Sequence, residues 1–149
     1  MIHSTAEVSS NAEVGEGTDI WRWTHVMAGA IIGKHCTIGQ NVFVADGAVI
    51  GDGCKIQNNV SIYSGVTLGD RVFCGPSCVF TNVNKPRAAV KAEAYEKTFV
   101  GNDATIGANA TIVCPVTLGE GCFIGAGAVV TKDVAPGETV VGNPARWRG

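Results

Sequence analysis

The chain has 149 residues, a formal net charge of -2 at pH 7 and a charged fraction of only 16%. A chain of this length supports one domain with a core, and its charge offers no basic surface for nucleic acid. Its start lacks a secretion signal, and no run approaches the roughly 18 apolar residues of a membrane span. We therefore expect a cytoplasmic protein, bound neither to nucleic acid nor to a membrane, whose partners are small molecules or copies of itself.

A six-residue repeat runs through most of the chain. An aliphatic residue returns at every sixth position from Ile2 to Leu68, Cys74 and Phe80 continue the same register, and the pattern resumes two positions out of phase from Val100 to Val130. The residue four places after each aliphatic is nearly always small. The residue three places after it is Gly or Asn in eleven of nineteen hexads, and both tolerate a positive φ at a corner. Pro115 occupies this place as an exception.

One large and one small inward residue per hexad predict a short strand followed by a bend, without helices. Such units wind into a solenoid of parallel strands. Three hexads per turn would place each residue n beside n + 18, about 4.8 Å further along the axis. We predict an all-β fold, a parallel β-helix, with a single domain over residues 1–149 interrupted by a loop over residues 83–99. The repeat alone does not fix the hand of the coil, since parallel crossovers are normally right-handed.

The interruption at residues 83–99 holds six charged residues between two regular stretches of repeat. A loop of this length in a compact domain is usually functional or disordered, and the regular flanks favour a functional loop over a solvated excursion. Asn82 stands at its mouth and, by the 18-residue rule, stacks over Ser64 and Asp46. Asn82 is a candidate site residue, with an Asx-turn that opens the loop as the alternative.

Other polar residues form candidate binding surfaces. Asn41 and Asn59 fall in one column with Trp23, where they could meet a nucleotide, although asparagine at a corner needs no ligand to explain it. Lys85 and Arg87 in the loop could pair with a carboxylate or a diphosphate, or they could simply be solvated.

Six cysteines are predicted to be reduced thiols, because the chain has no secretion signal and no C-x-x-C pair with zinc-like spacing. Those at the small inward position are expected to fill the core. We expect no bound metal. The cysteines are Cys36, Cys54, Cys74, Cys78, Cys114 and Cys122.

The repeat resembles that of the hexapeptide-repeat acyltransferases. Several sequence segments resemble those of the UDP-2-acetamido-3-amino-2,3-dideoxyglucuronate N-acetyltransferases. That resemblance implies a left-handed parallel β-helix of triangular cross-section. The phrases that carry it are residues 38–44, 56–63, 72–77, 80–83 followed by Pro86-Arg87-Ala88, and 107–114.

The resemblance also implies a function and a set of site residues. It implies a homotrimer that uses acetyl-CoA to N-acetylate the 3-amino group of a UDP-linked sugar, in particular a uronate, in surface-polysaccharide biosynthesis. Asn82 would lie beside the sugar amine and the CoA sulfur as the catalytic residue. The residues expected to bind the nucleotide sugar are Asn41, Asn59, Tyr63, Lys85 and Arg87. The residues expected to bind CoA along the C-terminal coils are Ala108, Ala126, Lys132 and Arg146.

The chemistry leaves alternatives open. A sugar amine with a pKa near 8 is partly neutral and attacks a thioester without a strong base. An O-acetyltransferase would need a positioned histidine, and His25 is the only plausible base. A γ-type carbonic anhydrase would need three histidines around zinc, which His3, His25 and His35 fit poorly. A non-catalytic β-helix protein is the remaining alternative.

Overall fold

The computed structural model describes all residues from 1 to 149 and contains strands and turns but no helix. No segment therefore forms a helix with the length and hydrophobicity of a membrane span. In chain order the strands are β1 Glu7–Val8, β2 Glu13–Val14, β3 Asp19–Ile20, β4 His25–Val26, β5 Ile31–Ile32, β6 Thr37–Ile38, β7 Phe43–Val44, β8 Val49–Ile50, β9 Lys55–Ile56, β10 Ser61–Ile62, β11 Val66–Leu68, β12 Phe73–Cys74, β13 Val79–Phe80, β14 Thr98–Val100, β15 Thr105–Ile106, β16 Thr111–Ile112, β17 Val116–Leu118, β18 Phe123–Ile124, β19 Val129–Val130, β20 Thr139–Val141 and β21 Arg146–Trp147.

The strands form three sheets, and successive strands visit them in turn up to β19. We call them face I (β1-β4-β7-β10-β13-β16-β19), face II (β2-β5-β8-β11-β14-β17) and face III (β3-β6-β9-β12-β15-β18-β20-β21). All pairings are parallel except that of β20 with β21. Residue n pairs with n + 18, as in His25 with Phe43. The predicted all-β parallel β-helix is therefore confirmed.

The two inward positions of each hexad build the core. A cluster of 33 buried residues runs along the axis, almost all at the large or the small inward position. Two buried threonines, Thr18 and Thr24, sit at the small position. Their hydroxyls donate to the carbonyls of Gly33 and Gly39, both at 2.8 Å. The core is thus filled by alternating large and small side chains, as the spacing predicts.

The corners take a left-handed backbone, as expected, but not only at Gly and Asn. Ten of the eleven Gly and Asn corners have a positive φ, and Asn11 is the exception. Other residues also adopt it, among them Trp23 with φ of 57° and Ser77 with φ of 59°. The coil geometry therefore imposes this conformation at most of these corners, on residues other than Gly and Asn as well. At Pro115, which cannot adopt it, the peptide bond after Cys114 is cis.

The predicted interruption is a protruding excursion between β13 and β14. It spans residues 81–97, because Thr98 and Phe99 already belong to β14 and pair with Val66 and Thr67. Across it the pairing offset grows from 18 to 32 residues. The excursion returns to its own starting point, since the Glu96 amide donates to the carbonyl of Asn82 at 2.9 Å.

All six cysteines are free and buried, as predicted. Cys36 and Cys54, stacked at the small position, donate from their thiols to the carbonyls of Gly51 and Gly69, both at 3.1 Å. They thus repeat the bond that the threonines of earlier coils make. The C-terminal coil is closed by β21, which folds back antiparallel on β20, with Ala145 packed against the core.

Candidate active site

Asn82 lies on the edge between faces I and II, on top of a polar ladder. Its side-chain Nδ2 donates to the carbonyl of Ser64 at 3.1 Å, and the Ser64 hydroxyl donates to the carbonyl of Asp46 at 2.6 Å. The predicted stacking of these three residues is therefore observed. The bond to Ser64 uses the amide nitrogen of Asn82 and leaves its side-chain carbonyl Oδ1 without a partner in the chain. That oxygen is an acceptor held at the base of the loop.

The C-terminal limb of the loop, which leads back into β14, separates two cavities along face II. One, of about 380 Å³, is lined by Asp46 and Ser64 together with Tyr95, Lys97 and Phe99. The other, of about 580 Å³, is lined by the same three residues of the limb together with Pro115 and Asp133 among others. Tyr95 in the limb and Phe99 in the adjoining β14 are 54% and 48% exposed, so each presents an aromatic ring to solvent. Their place at the C-terminal end of the interruption was the only sequence signal for these two residues.

Asn59 and Tyr63, both predicted to bind substrate, meet on face I. With Ser61 and Val79 they line a small pocket of about 90 Å³. The Tyr63 ring packs edge-on against Phe43, with centroids 6.0 Å apart. Tyr63 begins the corner that leads to Ser64, the residue under Asn82, so this pocket lies next to the Asn82 edge.

Asn41 lies on the opposite edge, between faces III and I, one coil before Asn59. Its Nδ2 donates to Oδ1 of Asn59 at 2.8 Å. Both residues have a positive φ, 54° and 63°. This bond and the left-handed corners give both asparagines a structural role in the coil. Their remaining amide groups are exposed on the edge.

Lys85 and Arg87 lie in the outer part of the loop, and both are exposed. Lys85 contributes to a cavity of about 570 Å³ formed within the loop. The Arg87 guanidinium donates to the carbonyl of Pro86 at 3.0 Å. The structure therefore does not bring either residue into contact with Asn82.

Ala108 and Ala126 stack on the edge between faces III and I, where the Gly127 amide donates to the Ala108 carbonyl at 2.8 Å. At four other corners the amide at this position bonds to an Asn or Asp side chain of the next coil, as the Gln40 amide does to Asn58 Oδ1 at 3.0 Å. Alanine offers no such acceptor. The amides of Ala108 and Ala126 therefore have no acceptor in the chain, and together they form a short row of free N–H donors.

Lys132 and Arg146 come together at the C-terminal end. Both line a cavity of about 180 Å³ with Glu138 and Trp147. Lys132 lies on the edge between faces I and II, whereas Ala126 lies on the opposite edge of face I, between faces III and I. The residues predicted to bind the cofactor thus form two groups, one of backbone donors and one of cations, on two edges of the same face.

The three histidines lie apart. His25 is exposed on face I, with its ring centroid 5.6 Å from that of Phe43. His35 occupies a corner between faces II and III with φ of 55°. His3 stands near the start, where its Nδ1 lies 3.0 Å from the Thr5 hydroxyl. Only His25 shares a face with the Tyr63 pocket.

Comparisons with known proteins agree with this architecture. The family model "Bacterial transferase hexapeptide (six repeats)" matches residues 11–46, 47–82 and 97–132, and the model "Hexapeptide repeat of succinyl-transferase" matches residues 29–64. The gap between the second and third matches, residues 83–96, lies within the loop. No curated protein sequence matches the chain.

Several solved structures are similar over nearly the whole chain. The acetyltransferase domain of PglB from Neisseria gonorrhoeae FA1090, in complex with acetyl coenzyme A, is 28% identical with a TM-score of 0.64, covering 99% of this chain and 56% of that one. A histidine-to-alanine mutant of GDP-perosamine N-acetyl transferase from Caulobacter crescentus, in complex with CoA and GDP-perosamine, is 25% identical with a TM-score of 0.60 and covers 99% and 55%. WeeI from Acinetobacter baumannii AYE is 26% identical with a TM-score of 0.62 and covers 97% and 56%.

The chain therefore spans little more than half the length of these similar structures. The family models, in contrast, cover most of the chain, and their matches coincide with the coils seen in the structure. The chain belongs to the family of bacterial hexapeptide transferases.

Proposed function

We propose that the protein is an acetyl-CoA-dependent N-acetyltransferase that acts on the 3-amino group of a nucleotide-linked sugar, with a UDP-linked uronate as the first candidate. The observation that carries the proposal is Asn82, whose amide nitrogen is fixed on the Ser64 carbonyl while its Oδ1 has no partner. An acceptor held at this position suits the N–H groups of an attacking amine.

The proposed reaction needs little from the protein beyond orientation. The neutral amine attacks the thioester carbonyl, the carbon–sulfur bond breaks, and the departing thiolate takes the proton that the nitrogen loses. Asn82 Oδ1 would accept a hydrogen bond from the amine and align its lone pair with the carbonyl carbon. Holding two reactants in one geometry is itself worth several kcal/mol of the barrier. No side chain has to act as a strong base in this scheme.

The binding residues fit the two substrates of such a reaction. The free amides of Ala108 and Ala126 are donors suited to the carbonyls of a pantetheine arm, and Lys132 with Arg146 suits phosphates. The Asn59–Tyr63 pocket suits a sugar ring, since it combines an amide, a hydroxyl and an aromatic surface. Among similar structures, the PglB domain was solved with acetyl coenzyme A and the perosamine enzyme with CoA and GDP-perosamine.

The test is acetyl transfer to a panel of UDP- and dTDP-linked amino sugars, read as release of the CoA thiol. We expect turnover with an amino sugar and none with its hydroxyl counterpart. Asn82→Ala should lower kcat by about 10²-fold, the loss typical of a misplaced reactant. His25→Ala, as the matched control, should leave kcat within a few-fold of the parent.

O-acetylation is the second candidate, and His25 is the observation that favours it. His25 is exposed on the same face as the Tyr63 pocket, and Phe43 packs between the two rings. A hydroxyl must lose its proton as it attacks, which requires a base such as this imidazole. If only hydroxyl acceptors respond, and His25→Ala rather than Asn82→Ala abolishes turnover, this second candidate replaces the first.

The proposal includes assembly as a homotrimer in which CoA lies between two subunits. The free amides of Ala108 and Ala126 lie on an open edge, where a neighbouring subunit could cover a bound pantetheine arm. Light scattering should give three times the mass of one chain. A monomer that turns over amino sugars at full rate would contradict this part of the proposal.

A further inference from the structure

Trp23 occupies a corner where its backbone conformation is unfavourable. Its φ is 57°. The corners immediately before and after it in the sequence, Gly17 and Gly29, are glycines with φ of 75° and 81°. A bulky L-residue in this region is an outlier, because its Cβ approaches the carbonyl oxygen. The coil geometry imposes this conformation on other residues too, among them Arg71 and Ser77, so what sets Trp23 apart is the large aromatic side chain that it presents there.

The indole of Trp23 has no structural task that explains the cost. The side chain is 62% exposed and forms no ring pair, and its Nε1 has no hydrogen-bond partner in the chain. The corner is held instead by hydrogen bonds of its own backbone to neighbouring coils. The Trp23 amide donates to the Thr5 hydroxyl at 3.1 Å, and the Asn41 amide donates to the Arg22 carbonyl at 2.9 Å. The coil therefore presents the indole without depending on it.

The position of Trp23 relative to Asn82 fits the length of a nucleotide sugar. Trp23 precedes β4 and Asn82 follows β13, which are three coils apart on face I. At about 4.8 Å per coil this is a rise of about 14 Å. Arg22 adjoins Trp23 on the same corner, and the part of face I between Trp23 and Asn82 carries the rings of His25 and Phe43 and then the Asn59–Tyr63 pocket. An aromatic plane with a guanidinium beside it lies at one end, and the sugar pocket and the amine acceptor follow towards the other, as base, diphosphate, sugar and amine do in the ligand.

We propose that Trp23 is the stacking platform for the nucleobase of the nucleotide-linked sugar, with the guanidinium of Arg22 beside the diphosphate. This inference rests on the proposed function, because that function supplies a ligand with a base at one end and an amine at the other. Stacking on an aromatic face tolerates any base, so Trp23 gives affinity for the nucleotide rather than choice among nucleotides.

Trp23→Gly separates this role from a structural one. Glycine relieves the unfavourable φ, so the variant should unfold at the same temperature as the parent or higher. A tryptophan needed for packing would give a lower unfolding temperature. Ser77→Gly, at the same corner three coils along with φ of 59°, is the matched control that relieves the backbone without removing an aromatic ring.

The experiment has a binding arm and a kinetic arm. In a Trp21→Phe, Trp147→Phe background, Trp23 is the only indole, and UDP should quench its fluorescence. With the active enzyme, Trp23→Gly should raise KM for the UDP-linked amino sugar about 10-fold or more and leave KM for acetyl-CoA unchanged. Ser77→Gly should change none of these.

The outcomes distinguish this inference from the proposed function. If no amino sugar is acetylated, the proposed function fails, whatever the fluorescence shows. If amino sugars are acetylated but UDP leaves Trp23 fluorescence unchanged, or Trp23→Gly leaves KM for the UDP-linked sugar unchanged, the inference alone is overturned. A quench by the free amino sugar and not by UDP would also overturn it, since the indole would then bind the sugar.

Discussion

Replacing Thr98 with valine should stabilise the protein, although it removes a polar group from a hydrophobic core. Thr98 lies at the small inward position of β14 with no exposed surface, and its hydroxyl has no hydrogen-bond partner. Its neighbours on the adjacent coils, Val66 and Val116, are both valines. Valine has nearly the same shape as threonine, so Thr98→Val replaces the unpaired hydroxyl with a methyl group and leaves the packing in place.

The expected gain follows from the cost of burying an unpaired hydroxyl, about 1–3 kcal/mol in protein mutational data. Thr24 provides the matched control at an equivalent position. Its hydroxyl donates to the Gly39 carbonyl at 2.8 Å and accepts from the Val42 amide at 3.2 Å. Thr24→Val leaves both backbone groups buried and unpaired, so it should cost about 1–3 kcal/mol. The same chemical change is therefore predicted to have opposite signs at two sites.

Urea unfolding followed by circular dichroism measures both variants. Thr98→Val should raise the midpoint and Thr24→Val should lower it, with unchanged m-values. For a chain of this size, each kcal/mol corresponds to about 2–4 °C in Tm. A lower midpoint for Thr98→Val would refute the reasoning, because it would mean that the hydroxyl has a partner in solution.

The remaining predictions concern the loop and the thiols. Gly65→Ala should open the loop to proteases, because Gly65 has φ of 96° and a Cβ there would clash with the Glu96 carbonyl oxygen. Gly47→Ala is the control. Gly47 has φ of 77° and open space around it, so this variant should leave the loop protected. Equal protease sensitivity of the two variants would contradict this. Burial raises the pKa of the Cys122 thiol from 9.0 to about 11. Because the folded pKa lies above the unfolded one, the thiol's contribution to stability is complete below about pH 9 and is lost as pH rises towards 11. The unfolding free energy should therefore fall over this range, and Cys122→Ala should make the fall shallower; an unchanged slope would contradict the assignment.

The fold was largely predictable because the repeat is a local rule. Each hexad needs one large and one small inward residue and a corner, and these requirements are visible in the sequence over almost the whole chain. The stacking of Asn82 over Ser64 followed from the 18-residue spacing. The left-handed corner at Trp23 did not follow from the preference for Gly and Asn, because the coil geometry overrides the preference of the residue.

The site was less predictable, because it depends on the places where the repeat fails. The course of the loop is set by non-repeating contacts such as that between Glu96 and Asn82, for which spacing gives no rule. Lys132 and Arg146 share a cavity only because the last coil is shorter, with Phe123 paired to Thr139, and β21 folds back. The unpaired amide of Ala108 could not be predicted from the sequence, because it depends on which corner amides find an acceptor in the next coil.

The central claim is that the acceptor is an amine oriented by Asn82. Its most direct test is the rate of CoA thiol release with a UDP-linked 3-amino sugar, compared between the parent protein, Asn82→Ala and His25→Ala. We expect amine-dependent release that falls about 10²-fold in Asn82→Ala and persists in His25→Ala. Release that depends on a hydroxyl acceptor and on His25, or a full rate in Asn82→Ala, would contradict it.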